Sequence, residues 1–161
     1  MSIKETIVVG MDPGTRKFGW GVVARRGTRL VHIAHGVVAL GDGPLPLRLA
    51  ALEKALDEVL RAHTPTHASV ETLFFHKDAQ AAAKLGHARG VALLVCGRAA
   101  LEVHEYAPAR VKRVVAAHGR ADKAQVAQMI RVILSLATVP PPDAADALAL
   151  AVTHLQNSLA R

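Results

Sequence analysis

The run TIVVGMDPGTRKFGWGVV, Thr6 to Val23, restricts the possible folds more than any other part of the chain. A short β-branched segment ends at Asp12, turns through Pro13 and Gly14, passes Arg16 and Lys17, and becomes apolar again at Trp20 to Ala24. Thr6 to Met11 therefore reads as a buried strand that folds straight back into a second one. Gly19 to Arg25 and Leu30 to Leu40 follow after tight links at Gly14 and Gly27, which predicts an antiparallel meander of three strands. Asp12 is the odd member, a carboxylate carried out at the end of a strand whose other residues belong in a core.

Downstream the period changes. Leu49, Leu52, Leu56 and Leu60 recur with charges between them, the spacing of an amphipathic helix over Leu45 to His63, which Pro65 ends. Ala68 to Glu71 is a fourth strand, Asp78 to Ala100 an alanine-rich helical region interrupted by Gly86, Gly90 and Gly97, and Leu101 to Tyr106 a fifth strand. Beyond Pro108 come a short basic helix over Ala109 to Ala117, a break at Gly119 and a helix from about Asp122 to Leu136. The breaker Pro140-Pro141-Pro142 precedes a last helix from Asp143 to about Asn157. This order predicts an α/β fold with a mixed sheet flanked by helices, three antiparallel strands first and parallel strands after. With 161 residues, no repeat and no linker, residues 1–161 are expected to form one domain.

Half of the chain is hydrophobic (51%) but only 3% is aromatic, so Ala, Val and Leu must build the core. The formal charge of +7, from 20 Lys and Arg against 13 Asp and Glu, favours a polyanionic partner. Nucleic acid fits better than a membrane, because no segment forms a basic amphipathic anchor. Cys96 is the single cysteine, so no intrachain disulfide forms, and the apolar GVALLVCG around it predicts a buried structural thiol. No apolar run approaches the ~18–20 residues of a membrane span and the N-terminus does not resemble a leader, so the expected location is the cytoplasm.

Against that basic background four acids stand where a core would not want them. Asp12 ends the first strand, Glu71 ends the fourth, and Asp143 and Asp146 open the last helix. In an open α/β sheet, strand ends and helix N-termini gather along one edge, so these groups can converge. Asp143 and Asp146, three apart on a helix, share a face. Each has a plainer role when taken alone: a cap or dipole complement for Asp143 or Asp146, a turn former for Asp12. Glu71 is harder to explain that way, since strands disfavour it. Together the four would repel and raise one another's pKa unless a cation cancels the charge, and oxygen-only ligands suit Mg²⁺ or Mn²⁺ rather than Zn²⁺. Two such ions about 3.5–4 Å apart activate a water and stabilise the leaving oxygen in phosphodiester cleavage.

Candidate cations for holding a nucleic-acid backbone are Arg16, Lys17, Lys77, Lys84, Arg89, Lys112, Arg113, Arg120 and Lys123, of which most fit ordinary solvated charges. Lys112 and Lys123 lead, because each opens or lines a helix near the acidic edge; Lys77, Lys84 and Arg89 join them as candidate DNA contacts. Phe74 and Phe75 stand out in a chain so poor in aromatics: they pack in the core, or one ring stacks on or wedges between bases. Among nine histidines, His63 and His67 lie four apart in HTPTH. Pro65 prevents the helix that would align them, so surface or capping roles are expected and a zinc site is not.

The set GMDPGTRKFGWGVV, VETLFF, KLGHARGVALL, YAPARVK, ADKAQV and DAADALALAVTH, in that order from about Val8 to Leu155, resembles the RuvC family of crossover junction endodeoxyribonucleases. The resemblance implies an RNase H-like fold and a homodimeric, Mg²⁺-dependent resolvase that nicks two opposing strands of a four-way DNA junction symmetrically. It implies the branch-migration complex RuvAB as a partner. Asp12, Glu71, Asp143 and Asp146 fall on the family's four acidic catalytic and metal-binding positions. Lys112 and Lys123 match lysines near the scissile phosphate, and Phe74 matches an aromatic that contacts bases at the junction. Some members carry histidine at the third acidic position, where Asp143 keeps the all-carboxylate form; Thr72 stands where the family commonly has glutamine. The resemblance also places a dimer contact around the alanine-rich helix. Gly86 and Gly90, four apart, allow close helix approach there, within the chain or between chains.

Two other readings stay open at this level. Asp-Pro-Gly-Thr followed by Gly-Trp also looks like the first phosphate loop of sugar kinases and actin-like ATPases, whose nucleotide needs a second domain that 161 residues do not accommodate. RNase H-like folds also host junction-binding or RNA-processing relatives without resolvase activity. A complete acidic set separates an enzyme from a pure binding module.

Overall fold

The computed structural model describes residues 5–73 and 78–158. One five-stranded sheet runs through it in the order β3-β2-β1-β4-β5. Here β1 (Thr6–Asp12), β2 (Lys17–Arg26) and β3 (Arg29–Ala39) form the expected antiparallel meander, while β4 (His67–Glu71) pairs in parallel with β1 and β5 (Glu102–Tyr106) in parallel with β4. Parallel neighbours need crossover connections, supplied by α1 (Leu45–His63) and α2 (Ala79–Arg98). Three helices follow the last strand: α3 (Pro108–Ala116), α4 (Lys123–Ile133) and α5 (Pro142–Asn157).

The central place of β1 explains its sequence. Val9 and Met11 join a core cluster with residues of α1 and α2, while Val8 joins a second cluster with α3, α4 and α5. A strand covered on both faces reads as a continuous apolar run, not as an alternation. Helix α5 is sealed almost all round, every residue from Ala144 to Leu155 except Asp146 being buried. Its small side chains let it lie close on the sheet. A Cβ on Gly10 would fall 1.8 Å from the Ala147 carbonyl oxygen, and one on Gly19 2.0 Å from that of Asp143. These two glycines set how near α5 sits to β1 and β2, and hence where its first turn stands relative to Asp12.

The clearest departure from expectation is α2, an unbroken helix through Gly86, Gly90 and Gly97 rather than an interrupted region. Each glycine costs about 1 kcal/mol relative to alanine. Burial of Ala88, Ala92, Val95 and Cys96 against the core outweighs that cost. Asp78 lies outside the helix as its cap, accepting from the Gln80 and Ala81 backbone N–H groups. Asp122 likewise caps α4, bonded reciprocally with Gln125, so that Lys123 is the first helical residue; the helix ends at Ile133 rather than Leu136. Cys96 is fully buried, as expected, and burial pushes its thiol up to about 11. Among the described residues no helix is long and apolar enough to cross a membrane.

Candidate active site

Strands β1 and β4 run side by side in the same direction with Met11 opposite Val70, so the next residue of each, Asp12 and Glu71, emerges at the same edge of the sheet. Period-two alternation turns both toward α5. Two residues before Asp12, Gly10 abuts Ala147; two residues before Glu71, the Ser69 hydroxyl donates to the Leu150 carbonyl oxygen at 2.8 Å. Pro142 occupies the first turn of α5, where its missing N–H costs nothing, and the helix presents Asp143 and Asp146 one turn apart.

The result is a cleft of about 230 Å³ lined by Asp12, Glu71 and Asp146, with Lys112 from α3 and Lys123 from α4 on the other wall. Asp143 stands at the rim beside β2, its backbone against Gly19, the residue paired with Asp12. All four predicted acids and both leading lysines are therefore brought to one edge, with Asp143 one step outside the cleft proper.

Crowding and burial show in the proton affinities. Burial first, then the charges of Asp146, Glu71 and Asp143, push the Asp12 carboxyl up to about 8. Glu71 is raised by burial and by Asp146, and Asp146 by burial with a contribution from Asp143. The lysines oppose this. Lys123 Nζ lies 3.5 Å from Asp146 Oδ2, and that carboxylate raises the lysine's own pKa; Lys112 acts on both Glu71 and Asp146. Asp146 nevertheless stays above the ordinary carboxylate range. Burial outweighs an ion pair whose lysine is 79% exposed to screening water. An oxygen-only donor set with uncompensated negative charge in a partly dry cleft fits hard divalent cations.

Arg89 requires a correction. It is 7% exposed and does not belong to a DNA-facing surface. Its Nη1 donates to the Glu71 carbonyl oxygen at 2.6 Å and its Nη2 to Glu105 Oε1 at 2.8 Å. The Thr72 N–H donates to the Tyr106 carbonyl oxygen on the other side, so the end of β4 is held from two directions. Nothing in KLGHARG distinguishes an inward arginine from an outward one.

Lys84 lies away from the acids, in a cleft of about 420 Å³ shared with Gly14, Thr15, Arg16 and Arg48, next to the turn that follows Asp12. Lys17, Arg113 and Arg120 are exposed. Phe74, Phe75 and Lys77 lie outside the described residues. His63 neighbours Trp20, with ring centroids 6.0 Å apart, whereas His67 meets His104 and His154 near the start of β4. His154 is buried, so the expectation of surface histidines fails for it; burial and then His104 and His67 push its pKa down to about 4.

A family model described as crossover junction endodeoxyribonuclease RuvC matches residues 8–154. The crossover junction endodeoxyribonuclease RuvC of Sorangium cellulosum is 54% identical over 149 residues, 92% of this chain and 83% of the relative. The structure of Thermus thermophilus RuvC is similar with a TM-score of 0.87 at 36% identity, covering 96% of each chain. T. thermophilus RuvC in complex with Holliday junction substrate gives 0.89 at 36% identity, covering 95% of this chain and 94% of the other. The five-stranded mixed sheet and its flanking helices are thus the RNase H-like arrangement of those structures. The matched span runs through every acid of the cleft, from Asp12 to Asp146, and the chain belongs to the RuvC family of crossover junction endodeoxyribonucleases.

Proposed function

We infer that this single-domain chain is a structure-selective endonuclease that resolves four-way DNA junctions by paired symmetric nicks, hydrolysing phosphodiester bonds in recombination and repair. The observation that carries the reading is the convergence of three carboxylates from β1, β4 and α5 with two lysines from α3 and α4 on one cleft. The Holliday junction complex of a relative 36% identical over nearly the whole chain supports the junction as substrate. Family membership over residues 8–154 disfavours the phosphate-loop and binding-module alternatives.

Asp12, Glu71, Asp143 and Asp146 would hold two hard divalent ions, Mg²⁺ or Mn²⁺, which supply charge neutralisation at the phosphate and a lowered pKa for the attacking water. Lys112 and Lys123, on the opposite wall, offer N–H donors and positive charge to the non-bridging phosphate oxygens, where charge grows as the bond breaks. Arg89 keeps the Glu71 backbone still, so its carboxylate does not have to be ordered when substrate arrives. Arg16, Arg48 and Lys84 put positive charge beside the Asp12 turn, suited to the approaching DNA backbone. Phe74, three residues beyond Glu71 in the chain, is the candidate base-stacking aromatic, and Lys77 a candidate backbone contact.

Two opposing strands need two equivalent sites, which a two-fold homodimer supplies. The outer stripe of α2 suits that contact. A Cβ on Gly86 or Gly90 would meet nothing within 4 Å, and Leu94, one turn further, is 56% exposed. Those glycines serve no packing among the described residues, which leaves the stripe open to the same helix of a second copy. The same reading gives the branch-migration complex RuvAB as a partner and the cytoplasm as the site of action.

Incubation with a synthetic four-way junction tests the proposal. Nicks at symmetric positions on two opposing strands, dependent on Mg²⁺, are expected. Binding without cutting in either Mg²⁺ or Mn²⁺, or equal cutting of linear duplex, would overturn it.

A further inference from the structure

At the far end of the same sheet face, three histidines meet from three elements. His67 opens β4, His104 lies in β5, and His154 in the last turn of α5. Parallel register sets Glu102 beside His67 and His104 beside Ser69, on the face that α5 covers. Ring centroids are 4.2 Å apart for His104 and His154, 5.2 Å for His67 and His154, and 5.8 Å for His67 and His104. One donor nitrogen of each lies within 4.8 Å of the others. Along α5, His154 is ~12 Å from Asp146 at the ~1.5 Å rise per residue of a helix, so this group is separate from the acid cleft.

The surrounding hydrogen bonds engage Nδ1 of His67 and of His154 and leave their Nε2 atoms. The Thr66 hydroxyl donates to the Ile7 carbonyl oxygen at 3.2 Å and lies 2.9 Å from His67 Nδ1, so Nε2 is the nitrogen of that ring left to a ligand. That nitrogen stands 3.7 Å from Glu102 Oε2. His104 Nε2 is buried without a hydrogen-bond partner among the described residues, although Glu102 Oε1 is 3.0 Å away. The Tyr106 hydroxyl engages His154 Nδ1 at 2.8 Å, leaving Nε2 of that ring. Three imidazoles and a carboxylate gathered in this way form a donor set that a transition-metal cation fits.

We propose that His67, His104 and His154, with Glu102 as a fourth ligand, bind a transition-metal ion of the Zn²⁺ type that ties β4 and β5 to the end of α5. Imidazole nitrogens with one carboxylate suit Zn²⁺, Cu²⁺ or Ni²⁺ and do not suit Mg²⁺. With Zn–N bonds of about 2.0–2.1 Å, tetrahedral ligand atoms stand about 3.4 Å apart, so nitrogens now within 4.8 Å of one another close by at most about 1.4 Å on binding. Thr66 and Tyr106 supply the hydroxyls that hold ring orientation, the outer support such sites use. Because β4 and α5 carry Glu71 and Asp146 at their opposite ends, the ion braces the frame of the acid cleft without touching it. The site stands independently of the nuclease reading.

Zn²⁺ titration of the chelator-treated full chain, with Mg²⁺ in large excess, reads the site by calorimetry and thermal melting. One Zn²⁺ per chain and a raised Tm are expected, retained in Asp146→Asn and at least about tenfold weaker in His67→Gln and His104→Gln. Tyr106→Phe is expected to weaken binding about 10- to 100-fold through ring orientation. Uptake that is unchanged in the histidine variants, or abolished by Asp146→Asn, overturns the proposal. Should the histidine variants fail to fold, Cu²⁺ electron paramagnetic resonance of the unaltered chain decides. Hyperfine structure from several imidazole nitrogens is expected, and an oxygen-only spectrum contradicts the site.

Discussion

Lys123 Nζ lies 3.5 Å from the Asp146 carboxylate and joins α4 to α5 across the acid cleft. The reciprocal bonds between Asp122 and Gln125 fix where α4 begins, and so fix where this lysine sits. An ion pair with so exposed a lysine contributes at most about 1 kcal/mol to folding, so its proposed value is positive charge held beside the scissile phosphate. Lys123→Ala is expected to leave Tm within a few degrees of the parent while slowing single-turnover junction cutting on the order of 10²-fold, with Lys112→Ala changing in the same direction. Parental rates at saturating metal and junction would remove both lysines from the site.

The raised Asp12 pKa makes metal-free stability depend on pH. A carboxyl with a pKa near 3.8 unfolded and about 8 folded binds extra protons when folded, so stability falls as pH rises from about 4 to about 8. Glu71 and Asp146 shift in the same sense. Thermal melts in chelator should therefore show Tm dropping across that window, with Mg²⁺ restoring more at pH 8 than at pH 6. Asp12→Asn should flatten the dependence and raise the metal-free Tm at pH 8 by several degrees, on the order of 1–3 kcal/mol. A metal-free Tm that climbs with pH over this range would contradict the crowding of these acids.

In the proposed centre Arg89 acts through Glu71 as a positioning residue. Arg89→Met keeps much of the side-chain volume but frees the Glu71 carbonyl and the Glu105 carboxylate. The expected result is a loss of about 1–3 kcal/mol in stability together with a higher Mg²⁺ requirement for cutting, since Glu71 must then be ordered by the ion. A stability loss with an unchanged Mg²⁺ titration would reduce Arg89 to a purely structural role.

Gly19→Ala tests the close approach of α5. The added Cβ meets the Asp143 carbonyl oxygen at 2.0 Å, so the first turn of α5 has to move outward, carrying Asp143 and Asp146 away from Asp12. A destabilisation of about 1–3 kcal/mol is expected, and cutting should fall by more than the loss of folded protein explains. Activity per folded molecule equal to the parent's would show that the first turn tolerates the shift.

The meander, the crossover helices and the late helical region are legible in the sequence because their signals are local: a period of two or 3.6, and punctuation at Gly14, Gly27, Pro65 and the triple proline. The acids are legible as a set because each sits at the end of such an element. Their meeting depends on the parallel register that brings Met11 opposite Val70, a relation that no local pattern carries. The inward turn of Arg89 and the union of His67, His104 and His154 are invisible for the same reason. HTPTH shows which histidines are neighbours in sequence, while the partners of His67 lie on β5 and α5. The glycines of α2 mislead because intrinsic propensity suggests breaks, and tertiary burial of the opposite helix face overrides it.

Asp146→Asn, with binding and cutting of the same four-way junction measured side by side in Mg²⁺, addresses the central claim most directly. Losing this one carboxylate should abolish detectable paired nicking while junction affinity stays within a few-fold of the parent's or improves. Cutting at an undiminished rate would contradict a reaction centre built from Asp12, Glu71, Asp143 and Asp146.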